Sequence, residues 1–151
     1  MSYRVVCQNR KASHEYFLEE RFEAGLVLEG PEVKSLRDGR ANLVDSYAKI
    51  KNGEAWLYSM HISPYPHARH VSQDPTRTRK LLLTRRELKR LLGKTQERGY
   101  SLIPLKVYFS GNWAKVELAL ARGKRKVDKR RSLKEKEIKR EMDQAKKDKG
   151  H

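Results

Sequence analysis

Cysteine is almost absent: Cys7 is the single one in the chain. That excludes an intrachain disulfide and suits a reducing cytoplasm. Cys7 lies in an apolar run, which favours a small buried side chain over a nucleophile. No apolar run approaches the roughly 20 residues that a membrane-spanning helix needs. The opening Met-Ser-Tyr-Arg-Val-Val-Cys carries no signal-peptide pattern. A cytoplasmic protein with no membrane contact is expected. Also missing are Gly-x-x-x-x-Gly-Lys-Ser/Thr and Gly-x-Gly-x-x-Gly, so no nucleotide cofactor is expected. There is no serine nucleophile elbow. Glu19, Glu23, His14 and His61 are groups that a hydrolytic nuclease can use, but their spacing fixes no constellation. No enzyme is expected. His67 and His70 have ligand-like separation without a neighbouring carboxylate or cysteine, so no metal is expected.

What the chain has in excess is positive charge. Against 19 Asp+Glu stand 35 Lys+Arg, a formal net charge of +16 on 151 residues. That length makes one domain with one core. That charge calls for a polyanionic partner or a charged tail. The charge is uneven: residues 122–151 hold 14 Lys+Arg against 6 Asp+Glu, half the excess in the last fifth. Two segments follow, a folded unit over 1–121 and a basic tail over 122–151. In the tail, Leu133, Ile138, Met142 and Ala145 are too sparse for a buried stripe, so disorder of the free tail is expected. Good helix formers and a Glu135–Lys139 pair permit a helix once the tail is docked.

The folded unit reads mainly as β. Tyr3 to Gln8 is a short strand, followed by a polar loop from Asn9 to His14. A second strand starts near Tyr16 and runs through Phe22, Ala24, Leu26 and Leu28, which fall on one face. Gly25 interrupts the other face and marks a bulge or a close backbone approach. Gly30-Pro31 ends the strand, and Pro31 and Glu32 suit the first turn of a short helix. Val33 and Leu36 share its buried side, so Lys34 and Arg37 point to water or a polyanion. Gly39 stops it. Leu43–Lys51 and Glu54–Met60 flank Asn52-Gly53, a strong hairpin signal. Trp56 and Tyr58 share a face, where packing is favoured over stacking on bases. Ser63 to Arg79 reads as a loop that closes on Arg77, Arg79 and Lys80. Thr84 and Glu87 form a capping box for a helix with Leu88, Leu91 and Leu92 inward, ending at Gly93. Ser101–Ser110 and Trp113–Ala121 form a second hairpin around Gly111-Asn112. In it Leu105, Val107 and Phe109 share one face, as do Val116, Leu118 and Leu120. About six short strands with two interposed helices suggest a closed antiparallel barrel. Basic residues over its loops and helix can neutralise phosphates, and folded RNA is the substrate class that remains.

Several short runs also carry a resemblance. Glu-Ala-Gly from Glu23, then Glu-Val-Lys-Ser-Leu-Arg-x-Gly from Glu32, resembles the signature of the SmpB family, the tmRNA-binding proteins of bacterial ribosome rescue. Asn9-Arg10-Lys11-Ala12, Asp45-Ser46-Tyr47, Asn52-Gly53-Glu54-Ala55, Asp74-Pro75, Arg77-x-Arg79-Lys80-Leu81-Leu82-Leu83, Pro104-Leu105, Lys115-Val116, Gly123-Lys124 and Asp128-Lys129-Arg130 follow in the family's order. The resemblance covers nearly the whole chain.

It implies an OB-like barrel with two or three flanking short helices. It implies binding of the tRNA-like domain of tmRNA, and delivery with EF-Tu and GTP to stalled 70S ribosomes. The tail would enter the empty mRNA channel beside 16S rRNA, and the free protein would be a monomer. EF-Tu, not this chain, would bind the GTP. Glu23 matches the family's acidic residue at the RNA surface; its other reading is a barrel-end salt bridge. Asn9, Lys34, Leu82 and Lys115 match further positions at or supporting that surface, Leu82 through packing. The basic positions Arg37, Arg77, Arg79 and Lys80 join them as candidate RNA contacts. Lys124 opens the tail, and Asp128, Lys129 and Arg130 match its ribosome-contacting motif. Val127 departs from the family, which commonly has an aromatic residue or histidine there; valine cannot stack on a base. Two other readings stand beside this one: a basic barrel protein that binds rRNA in ribosome structure or assembly, and a nucleic-acid enzyme.

Overall fold

The computed structural model describes residues 3–66 and 74–123. His67, His70, Lys124, Val127, Asp128, Lys129 and Arg130 lie outside them. The described chain is mainly β. Its strands are β1 (Tyr3–Gln8), β2 (Tyr16–Leu26), β3 (Ala41–Asn42), β4 (Tyr47–Lys51), β5 (Glu54–Tyr58), β6 (His61–Ile62), β7 (Arg79–Leu82), β8 (Tyr100–Ser110) and β9 (Trp113–Gly123). Three helices interrupt them: α1 (Ala12–Glu15), α2 (Gly30–Arg37) and α3 (Arg85–Thr95). No described helix is long and apolar enough to cross a membrane.

The large sheet runs β1-β8-β4-β5-β7-β2-β9, and β9 pairs with β8 as well. Strands β8, β4, β5, β7, β2 and β9 therefore pair in a round, with β1 laid along β8. All the pairings are antiparallel. Two seams are narrow. β4 meets β8 through Ala48 and Leu102, and β2 meets β7 through Gly25–Leu82 and Leu26–Leu81. β3 and β6 make a small separate pair.

The local signals explain most elements. In β2, Phe22, Ala24 and Leu26 all enter the core. Gly25 marks close approach, with no register shift beside it: a Cβ there would lie 3.3 Å from the Leu82 Cβ. Asn52 and Gly53 both adopt positive φ, as the tight β4–β5 turn requires. Thr84 and Glu87 form the expected capping box of α3.

Four expectations are corrected. Asn9–His14 is not all loop, because Ala12–Glu15 makes one helical turn that buries Ala12 against Ile103 and Ala121. A single turn is too short to leave a periodic pattern. α3 continues through Gly93 to Thr95, whose hydroxyl donates to the Leu91 carbonyl. Gly93 lacks positive φ, so it does not act as a stop. The loop expected to run from Ser63 through Arg79 opens with the Ser63 amide donating to the Arg40 carbonyl and gives way at Arg79 to β7, a strand made by pairing with β5 and β2. Finally, Leu105 does not share a face with Val107 and Phe109. The β8–β9 register shifts between Pro104 and Lys106. That irregularity turns Leu105 outward, under α1 with Ile103, while Val107 and Phe109 fill the main core.

Among the described residues, both core clusters close without any side chain beyond Ala121. A chain ending at Lys126 is therefore expected to keep its thermal midpoint within about 4 °C of the full chain, the shift that ~1 kcal/mol produces at this size. A larger fall in calorimetry would mean that the tail packs on the sheet.

Candidate nucleic-acid interface

With Phe22, Ala24 and Leu26 inward, the alternation of β2 turns Arg21, Glu23 and Gly25 outward. The register of β9 sets Glu117 opposite Glu23 and Lys115 opposite Gly25. Leu82, across the other edge of Gly25, is 54% exposed and covers the glycine. Glycine eases this approach: a Cβ there would lie 3.3 Å from the Leu82 Cβ, so Leu82 would have to shift slightly. Glu23, Lys115 and Leu82, scattered in sequence, thus form one outer patch.

Charged groups knit this patch. The Lys115 ammonium lies 3.9 Å from Glu23 Oε1. Arg21 donates to Glu117 Oε1 at 3.0 Å, and Lys106 Nζ lies 3.7 Å from Glu117 Oε2. The Tyr108 hydroxyl donates to Glu23 Oε2. Tyr3 packs on Tyr108 with centroids 4.8 Å apart, and Lys106 Nζ sits within 5.3 and 5.6 Å of the two rings. Trp113, on the same face of β9 as Lys115, is 74% exposed. Such interleaving of cations and rings suits a partner with phosphates and bases.

The other candidates are placed differently. Lys80 shares the outer face of β7 with Leu82, and its ammonium pairs with Glu54 at 3.1 Å. Asn9 directly follows β1; its Nδ2 donates to the Pro104 carbonyl at 3.2 Å. It also lines a groove of about 260 Å³ with Arg21, Lys106 and Glu117. Asn9 therefore holds the β8 irregularity beside the patch. Lys34 and Arg37 are exposed on α2, over Tyr65 at 5.4 Å and over the core residue Phe109 at 5.1 Å. They belong to the helix side, not to the outer patch.

Arg79, expected to contact RNA, is corrected: it is 0% exposed. Its Nε donates to Glu32 Oε2 at 2.6 Å, Nη1 to the Met60 carbonyl at 2.6 Å and Nη2 to the Pro75 carbonyl at 3.1 Å. Sealed in the core, it offers no surface to a ligand. Arg77, a third exposed, donates to Glu32 Oε1 at 2.6 Å. Burial by itself would raise the Glu32 pKa. Hydrogen bonds from Arg77, the Glu29 amide and Arg79 outweigh it and hold the carboxyl below its usual range. Arg79 is pushed down by burial, against the pull of Glu32. Glu32, read from sequence as a helix-dipole residue, is thus the hub of a buried ion network.

Tyr108, Arg21, Lys106 and Glu117 belong to this candidate patch and were missed by sequence reasoning. Their one signal was their position between core residues of long strands. On the β4–β5 face, Tyr58 stacks on Tyr47 at 5.2 Å and 11°, and half-buried Trp56 donates to the Lys51 carbonyl. These rings pack on the protein itself. Among the described residues no cluster of His, Cys, Asp and Glu has the build of a metal site.

An antiparallel sheet wrapped on its main core, with a cationic and aromatic outer face, defines a small basic β protein of the nucleic-acid-binding class. The chain belongs to the SmpB protein family, whose model matches residues 6–148. The SsrA-binding protein of Syntrophobacter fumaroxidans (strain DSM 10017 / MPOB) is 60% identical over 144 residues, covering 95% of this chain and 89% of that protein. The SsrA-binding protein of Bacillus subtilis (strain 168) is 53% identical over 144 residues, with 95% and 92% covered. A solved structure described as "tmRNA-SmpB: a journey to the center of the bacterial ribosome" is similar with a TM-score of 0.66 and 48% identity. It covers 79% of this chain and 84% of that one.

Proposed function

We propose that this protein is the tmRNA-binding adaptor of trans-translation. It binds the tRNA-like domain of tmRNA and brings it to ribosomes stalled without usable mRNA. The observation that carries the reading is the patch around Glu23, set in a chain of the SmpB family. A carboxylate there accepts hydrogen bonds from base N–H groups or 2′-hydroxyls, while Lys115, Lys106 and Arg21 meet phosphates. In this reading the β round acts as a closed OB-like barrel over residues 1–121. The segment 122–151 enters the empty mRNA channel through Lys124 and Asp128-Lys129-Arg130. EF-Tu with GTP travels on the aminoacylated tmRNA. The protein works as a cytoplasmic monomer without a cofactor or a catalytic step of its own.

Binding of a tRNA-like fragment, compared with an unrelated rRNA hairpin, tests this reading. Preference for the tRNA-like fragment is expected, with affinity that falls steeply as salt rises. Equal affinity for both would favour a protein of ribosome structure or assembly. On the same fragment, Glu23→Ala is expected to weaken binding by roughly 1.5–3 kcal/mol, the worth of a charged hydrogen bond. Glu23→Gln retains one acceptor and should weaken it less. Tighter binding by the alanine variant would mean that Glu23 merely repels phosphate.

A further inference from the structure

Glu23 is not free to choose how it meets a ligand. Its side chain is 60% exposed, yet one oxygen is already engaged. Tyr108, across the β8–β9–β2 sheet, is 4% exposed although it lies on the outer face. Tyr3 covers its ring, and Lys106 closes over both rings. A hydroxyl so placed needs a partner, and Glu23 Oε2 accepts from it. Burial first, and then the Glu23 carboxylate, raise the Tyr108 pKa, so the hydroxyl keeps its proton and remains a donor. The other carboxylate oxygen, Oε1, stands 3.9 Å from Lys115 Nζ, beyond hydrogen-bond length. Lys115 thus supplies a field without occupying the oxygen.

We infer that Tyr108 is a positioning residue, which pins the Glu23 carboxylate so that Oε1 alone is presented to RNA as a hydrogen-bond acceptor. This rests on the reading of the patch as an RNA surface. It narrows what the patch accepts at that point to one neutral donor: a base N–H or a ribose 2′-hydroxyl. A phosphate is excluded there, because the fixed carboxylate repels it. The neighbouring Arg21, Lys106 and Lys115 are left for phosphates. Fixing Glu23 in advance removes the cost of ordering a flexible side chain on binding.

A double-mutant cycle with a tRNA-like RNA fragment at fixed salt tests this. Tyr108→Phe keeps the ring against Tyr3 and deletes only the hydroxyl. It should weaken binding by about threefold to tenfold, the cost of ordering one side chain expressed as affinity. The slope of affinity against salt should not change, since no phosphate contact is lost. In the Glu23→Ala background the same change should alter affinity by less than about twofold, because nothing remains to be pinned. Equal loss in both backgrounds would overturn the inference, placing Tyr108 in the fold or in direct contact. So would unchanged or tighter binding by Tyr108→Phe. Glu23→Asp gives a second route if the phenylalanine variant loses its fold. It keeps the charge but draws the carboxylate back from the hydroxyl, and binding should approach that of Glu23→Ala. Wild-type affinity in the aspartate variant would overturn the pinning. Should Glu23→Ala itself bind as wild type, the RNA surface is misplaced and the inference falls with it. If Glu23→Ala weakens binding while Tyr108→Phe does not, only the inference fails.

Discussion

Glu32→Ala is expected to cost about 3–5 kcal/mol of folding stability, the usual loss when one partner of a buried ion pair is removed. Arg79 would then remain fully buried without the carboxylate that its guanidinium contacts, while Glu29, 3.9 Å from Arg77, pairs with that residue instead. Two carbonyls, of Met60 and Pro75, still accept from its guanidinium but cannot balance its charge. A domain of this kind has ~5–15 kcal/mol in total, so the variant would be marginal. Denaturant unfolding measures the loss. A change below about 1 kcal/mol would mean that water reaches the network as it does a surface pair. Glu32→Leu combined with Arg79→Met should be less damaged than Glu32→Ala, because no unpaired charge stays inside. The network also sets a pH limit. The Glu32 pKa is depressed in the folded state, so its contribution is complete above the ordinary carboxylate range. It is lost as pH falls through the lowered value, when the carboxyl gains a proton. In Glu32→Ala this part of the acid sensitivity should be missing.

Replacing Asp128, Lys129 and Arg130 together with alanine is expected to abolish peptide transfer to tmRNA on stalled ribosomes. Affinity for the isolated tRNA-like RNA should stay within about twofold, ~0.4 kcal/mol. The patch that would hold that RNA is built from β2, β7, β8 and β9, with both core clusters complete by Ala121. The tail motif lies beyond these strands in the chain. Its phosphate contacts are proposed to exist only inside the ribosome, where a basic segment meets rRNA. Both quantities can be measured on one protein preparation. Equal loss in both would move the motif onto the RNA-binding face. Normal transfer would remove its proposed role.

Some members of the candidate patch were readable residue by residue, but not their arrangement. The resemblance to the SmpB family picked out Glu23, Leu82 and Lys115, and the structure joins them through Gly25. It could not reveal that Tyr108 holds Glu23, since the two are 85 residues apart and Tyr108 reads as an ordinary strand residue. Arg79 and Lys80 are adjacent and equally basic. Strand alternation sends one into the core and the other outward, and only the register of β7 against β5 and β2 says which.

The sequence by itself determined what depends on near neighbours: the alternation of β2, the Asn52-Gly53 turn, the capping box of α3 and the excess of cations. Adjacent residues encode these because backbone sterics and side-chain period act within a few positions. Tertiary structure alone decided the strand β7, the irregularity that turns Leu105 outward, the burial of Arg79 and the pinned carboxylate of Glu23. Each depends on a partner far along the chain, 47 residues for Arg79 and Glu32. Burial can convert a cation from a surface contact into a core ion pair only when folding brings that partner to it.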